Sequence, residues 1–273
     1  MMRRLTLAVL FMSLLGGAHL ATAQACTLTD TAMNFGTYTD GDAAVPGTST
    51  GTVVCGGTWD IPLDAGTGAG ASETIRYMTG PGGAKIAYGV FQDLAHQTNW
   101  GNTSTTEVTG TGNATVTFYG LITAGQVPAP GTYTDTLTTA TTTFPVSVTV
   151  AKACTITATN LNFYTYVKTL IDASSTIFVT CTNTTTYTIG LSAGNAPGAT
   201  VTTRKMQYGA NLLSYSLTSG SYTGTNWGNT SPTWVAGTGT GAQQSLTVYG
   251  ELPAGQNVPA GNYTDTITAT ITY

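Results

Sequence analysis

The chain has 273 residues, enough for one or two domains, and only 7% of them are charged. Eight Lys and Arg, among them Arg3 and Arg4 of the leader below, stand against twelve Asp and Glu. That acidic balance excludes nucleic acid and disfavours an anionic membrane surface, because both need clustered cations.

The first 25 residues read as a secretory leader. Met1-Met2-Arg3-Arg4 is a basic start, an apolar run follows from Leu5 to Leu15, and small residues around Ala23 and Ala25 offer a cleavage site. The run is too short to span a membrane, and no later segment is apolar enough to do so. Beyond it, Gly and Thr are abundant and no long helical period appears. The composition predicts an all-β secreted protein whose exposed faces are covered by neutral polar groups.

The cysteines are Cys26, Cys55, Cys154 and Cys181. An even count in a secreted chain implies disulfides, and four cysteines allow three pairings. A zinc site is the competing reading, but no pair has C-x-x-C spacing and no His lies near them beyond the leader. No metal and no cofactor is expected.

An internal repeat chooses among the pairings. Cys26-Thr27-Leu28-Thr29 answers Cys154-Thr155-Ile156-Thr157, and Asn34-Phe35 answers Asn162-Phe163. Trp59 and Ile61 answer Tyr187 and Ile189; Arg76 and Met78 answer Arg204 and Met206. Asn99-Trp100-Gly101-Asn102 answers Asn226-Trp227-Gly228-Asn229. Gly131-Thr132-Tyr133-Thr134-Asp135-Thr136 answers Gly261-Asn262-Tyr263-Thr264-Asp265-Thr266. Each half thus holds two cysteines, which selects Cys26–Cys55 and Cys154–Cys181. Each half is the size of one β-sandwich domain, with alternating apolar runs between Gly-rich turns. The expected fold is two immunoglobulin-like sandwiches, over 26–151 and 152–273.

The halves differ at their ends. Residues 144–150 alternate as a strand with one buried face, carried by Phe144, Val146, Val148 and Val150. The repeat places Tyr273 level with Thr143, so nothing in the second half corresponds to that strand. The expectation is a C-terminal sandwich lacking its last strand. Its exposed groove would be bordered by Ile267, Ala269, Ile271 and Tyr273 and open to a strand from another chain.

These motifs, duplicated, resemble the spore coat U domain family, which includes subunits of archaic (Csu-type) chaperone–usher pili. The resemblance implies an incomplete immunoglobulin-like pilin. A periplasmic chaperone lends it a strand, and an adjacent pilin subunit replaces that strand at an outer-membrane usher. Family subunits carry a donor tail before their first cysteine, whereas at most Gln24-Ala25 precedes Cys26 here. The resemblance therefore implies a tip adhesin on the cell surface, exported through the periplasm, with residues 144–150 held in cis. Such a subunit would attach to an abiotic or host surface and support biofilm formation. The apolar residues Val45, Pro46 and Leu94 are the candidate surface-binding loop positions. A secreted coat protein and a carbohydrate-binding module are the alternatives, the latter needing exposed aromatics.

No catalytic constellation emerges. His96 is the only His beyond the leader, and Asp60/Asp64 and Asp40/Asp42 read as solvated turn or strand carboxylates. The chain is expected not to be an enzyme. Asp135 and Asp265, present in both halves, read as structural hydrogen-bond acceptors.

Overall fold

The computed structural model describes residues 26–273, so the leader expected at 1–25 lies outside the described residues. The regular secondary structure of the described residues is almost all strand, and the chain builds two hydrophobic cores, one per repeat.

The first repeat contributes ten strands: β1 (Thr27–Asp30), β2 (Met33–Tyr38), β3 (Val45–Val54), β4 (Thr58–Ile61), β5 (Arg76–Thr79), β6 (Lys85–Phe91), β7 (Val108–Thr111), β8 (Ala114–Ile122), β9 (Gly131–Thr138) and β10 (Thr143–Val150). From Val116 in β8, Tyr133 in β9 and Phe144 in β10 onward every second residue is buried, the consequence of a two-residue side-chain period over one core face. The hydrogen-bonded order is β1-β3-β8-β6-β5-β9-β10-β2, with β4 and β7 paired apart from it. β5 and β9 meet at a single pair, Thr79 with Thr134, so the path folds round the core there.

The second repeat contributes β11 (Cys154–Ala158), β12 (Ile171–Cys181), β13 (Thr186–Leu191), β14 (Arg204–Tyr208), β15 (Asn211–Ser219), β16 (Thr225–Asn226), β17 (Val235–Thr238), β18 (Gln243–Leu252) and β19 (Ala269–Thr272). Their order is β11-β12-β18-β15-β14, with β16 on β15, and a separate β17-β13-β19 sheet. Among the described residues no strand stands at the place of β10.

Both cores are tied by the same devices. Cys26 bonds to Cys55 and Cys154 to Cys181, each clamping the first strand of its repeat to the end of the next long one. Arg76 and Arg204 are fully buried, and backbone carbonyls satisfy their guanidinium donors. Arg76 donates to the carbonyls of Asp64 (2.8 Å) and Trp100 (2.8 Å), and Arg204 to those of Ser192 (2.9 Å) and Trp227 (2.7 Å). Burial lowers the pKa of both guanidiniums, and the carbonyl cage keeps the buried donors paired. The Trp100 and Trp227 rings are 1% exposed and donate to the carbonyls of Ile61 and Ile189 at 2.8 Å. They are core residues, so they cannot supply the exposed aromatic row of a carbohydrate module.

Candidate strand-acceptor site

β10 supplies the template for the site. All eight of its residues register antiparallel with β9, from Thr143 opposite Thr138 to Val150 opposite Gly131. On its other edge it runs parallel to β2, with Val146 opposite Met33 and Val150 opposite Tyr38. Phe144, Val146, Val148 and Val150 point inward and are at most 2% exposed. The Phe144 ring lies 4.9 Å from that of Phe118, which stacks on Trp100 at 4.3 Å. Burying four such side chains contributes roughly 6–12 kcal/mol before ordering costs, at about 1.5–3 kcal/mol each.

The second repeat keeps the walls of this slot and leaves the slot open. A groove of about 1050 Å³ runs between residues 161–168, the counterpart of β2, and residues 258–269, which contain the counterpart of β9. Its floor includes Ile177, Met206, Tyr215, Val248 and Leu252. Where Met33, Tyr133 and Leu137 are fully buried in the first repeat, Leu161, Tyr263 and Ile267 are only half-buried. Residues 263, 265, 267 and 269 are half-buried and the residues between them exposed, the alternation of a strand whose inner face lacks a full cover.

Polar anchors hold the wall in shape. In the first repeat Tyr88 donates its hydroxyl to Asp135 Oδ2 (2.7 Å), while the other carboxylate oxygen accepts from Thr67 N–H and Thr136 N–H. In the second, Tyr215 donates to Asp265 Oδ2 (2.7 Å), and Asp265 Oδ1 accepts from Asn195 N–H and Thr266 N–H. Burial and the facing carboxylate push both tyrosine hydroxyls up, so both stay protonated donors. Asp135 and Asp265 are thus structural acceptors, and no cluster of three or more metal-ligating side chains occurs among the described residues.

The residues singled out from sequence fall in different places. Ile267 and Ala269 line the groove. Ile271 pairs with Ile189 as β19 continues along β13, and Tyr273, 54% exposed, lies past that strand. Leu94 is 72% exposed, in the turn after β6. Val45 and Pro46 do not form a loop: they open β3, opposite Ile122 and Leu121, and Val45 packs against the core. Pro fits there because a strand's first residues need not donate to the ladder. That end of β3 adjoins the second repeat, where Asn183 N–H donates to Asp40 Oδ2 and Asn183 Nδ2 donates to the Val127 carbonyl (3.1 Å). The wall formed by 161–168 escaped the sequence reading, although pairing Met33 and Tyr38 with Leu161 and Tyr166 through the repeat would have found it.

The family model described as the Spore Coat Protein U domain matches twice, over residues 14–140 and 140–270. Protein U of Myxococcus xanthus is 37% identical over 127 residues, which cover 41% of this chain and 71% of that protein. The fold is similar to a chain of the CsuC–CsuE chaperone–tip adhesion subunit pre-assembly complex from archaic chaperone–usher Csu pili of Acinetobacter baumannii. That match has a TM-score of 0.54 and 16% identity, and it covers 91% of this chain and 100% of the other.

Proposed function

Because the chain belongs to the Spore Coat Protein U domain family, we propose that it is a two-domain subunit of a surface fibre, and that its second domain is completed by a strand from another polypeptide. One observation carries the reading. The repeat counterparts of the wall residues that hold β10 in the first domain border an open groove of about 1050 Å³ in the second. A bound strand would cover the half-buried apolar residues and add a backbone ladder to both walls.

In this reading the domains span 26–151 and 152–273, and the leader directs export through the periplasm. A periplasmic chaperone fills the groove first, and the strand of an adjacent pilin replaces it at an outer-membrane usher. The first domain needs no partner strand, because β10 is its own. One self-completed domain and one strand-accepting domain suit the end of a fibre, which makes the first domain the adhesin. It would meet an abiotic or host surface, with Leu94 as an apolar contact, and so support biofilm formation. The fold likeness to a chaperone-bound tip adhesion subunit supports this assignment. The reading assigns the chain no catalysis.

The test is a chain extended after Tyr273 by a short flexible turn and a copy of residues 144–150. The extension is expected to raise the unfolding midpoint of the second domain and to leave that of the first unchanged. An unchanged second-domain midpoint, with the added segment freely cleaved by protease, would overturn the reading. A structural coat role is the second reading, favoured by the family's description. It predicts that the strand comes from further copies of this chain, seen as concentration-dependent assembly of the purified protein alone.

A further inference from the structure

The two domains differ at the end of β10 farthest from the connection between them. Both repeats pass one point alike: Asp64 N–H donates to the Thr138 carbonyl (3.1 Å), and Ser192 N–H to the Thr268 carbonyl (3.0 Å). In the second domain the following residues run straight on as β19, antiparallel to β13, with Thr270 opposite Gly190 and Ile271 opposite Ile189. In the first they turn back into β10, and Thr139 N–H donates to the Thr142 carbonyl (2.9 Å). One residue accounts for the difference. Backbone N–H groups alternate between the edges of a strand, so Gly190 shares the edge of Ser192, while Leu191 N–H turns away to the Gly228 carbonyl (3.0 Å). Pro62 holds the place of Gly190 in the first repeat and has no N–H to offer that edge.

Among the described strands β4 is therefore paired with β7 alone, and a crevice of about 40 Å³ opens between β4 and β1. Leu28, Val53, Trp59 and Ile61 line it, with Ala140 and Thr141 exposed at its rim. Leu28 and Trp59 are partly buried against the first core, and the Trp59 indole is fixed by donating to the Gly112 carbonyl (2.8 Å). The second domain shows what such a gap holds. Ile156 answers Leu28 there, and β19 lies against β11 as well as β13, with Ile156 and Ile271 packed on the second core. The crevice of the first domain is roughly three times the size one water needs, which is room for a small aliphatic side chain and not for a sugar ring.

We propose that this crevice binds an extended polypeptide of another protein, laid antiparallel along β4 with one small aliphatic side chain inserted between Leu28 and Trp59. Thr270-Ile271-Thr272 gives the pattern that fits, an aliphatic residue between two small polar ones. A second copy of this chain is not the occupant, because its strand with that pattern is already paired to its own β13. The inference concerns the first domain alone and does not depend on the groove of the second.

The experiment titrates a peptide copying residues 268–273 into the intact protein and follows the Trp59 indole N–H and the amides of residues 26–28 and 59–61 by NMR. Saturable shifts are expected at these groups. Ile271→Ala in the peptide should weaken binding by at least about ten-fold, the low end for burying one aliphatic side chain. Thr141→Trp in the protein, a change at the exposed rim, should abolish the shifts. Pro62→Gly should tighten binding by about two- to ten-fold, the worth of one restored backbone hydrogen bond. Absence of shifts at these groups would overturn the proposal, as would binding that survives both Ile271→Ala and Thr141→Trp. Shifts confined to the second domain would overturn it too, because the peptide would then have entered the groove or displaced β19. Self-association of the purified protein that Thr141→Trp abolishes would contradict the stated occupant and assign the crevice to a second copy.

Discussion

Tyr133-Thr134-Asp135-Thr136-Leu137 and Tyr263-Thr264-Asp265-Thr266-Ile267 are nearly the same sequence in different structural states. The first lies in β9, with β10 paired along its whole length and Tyr133 and Leu137 fully buried. The second forms one isolated bridge, Thr264 with Gln207, and its apolar residues are half-buried. Local propensity is equal in the two, so the neighbour decides. A strand's state is set by cross-strand pairing and burial more than by its own residues.

The largest expected effect comes from weakening the neighbour where it is present. Phe144→Ala removes a ring packed on Phe118 and should destabilise the first domain by about 3–5 kcal/mol, the range for large core truncations. Domain-resolved hydrogen exchange should then show amides 132–138 losing protection while the second domain keeps its own. A loss shared by both domains would break the comparison, because it would mean that they unfold as one.

The disulfides are next. They close loops of similar length, with sequence separations of 29 and 27, so replacing either pair by Ser should cost about 2–4 kcal/mol and to a similar degree in each domain. Urea midpoints of the two double variants check this. A much larger loss for Cys154→Ser with Cys181→Ser would show that the open-grooved domain has less stability in reserve.

A smaller effect distinguishes the domains by pH. Asp30 ends β1 with both carboxylate oxygens buried and without a hydrogen-bond partner, and Ala158 holds the corresponding place in the second domain. Burial pushes the Asp30 carboxyl up from 3.8 to about 6. The folded domain therefore binds that proton more tightly than the unfolded chain does. Its contribution to stability is therefore greatest below pH 3.8, falls as pH rises to about 6 and is level above it. Asp30→Ala should stabilise the first domain by about 1 kcal/mol at pH 7, allowing for the group's partial exposure, and the gain should vanish toward pH 4. Thermal midpoints at the two pH values test it, and a gain that persists at pH 4 would mean that the charge is not the cause.

Much of this architecture was legible in the sequence because the chain repeats itself. The repeat selected the disulfide partners, and the alternation of Phe144, Val146, Val148 and Val150 identified a strand with one buried face. What stayed hidden depended on partners distant in sequence. Val45 and Pro46 read as apolar loop positions, yet β8 recruits them into β3. Residues 161–166 carry apolar residues at the same places as β2, but no pattern within them reveals that they form a wall instead of a paired strand.

The central claim is that the second domain's groove occupies the place that β10 fills in the first. Hydrogen exchange at residues 263–267 of the intact protein, measured with and without a peptide copying β10, tests it most directly. The account predicts fast exchange there in the free protein, against slow exchange at residues 133–137, and a peptide-induced slowing toward the level of the first domain. Slow exchange at 263–267 before any peptide is added, or no change at saturating peptide, would contradict it.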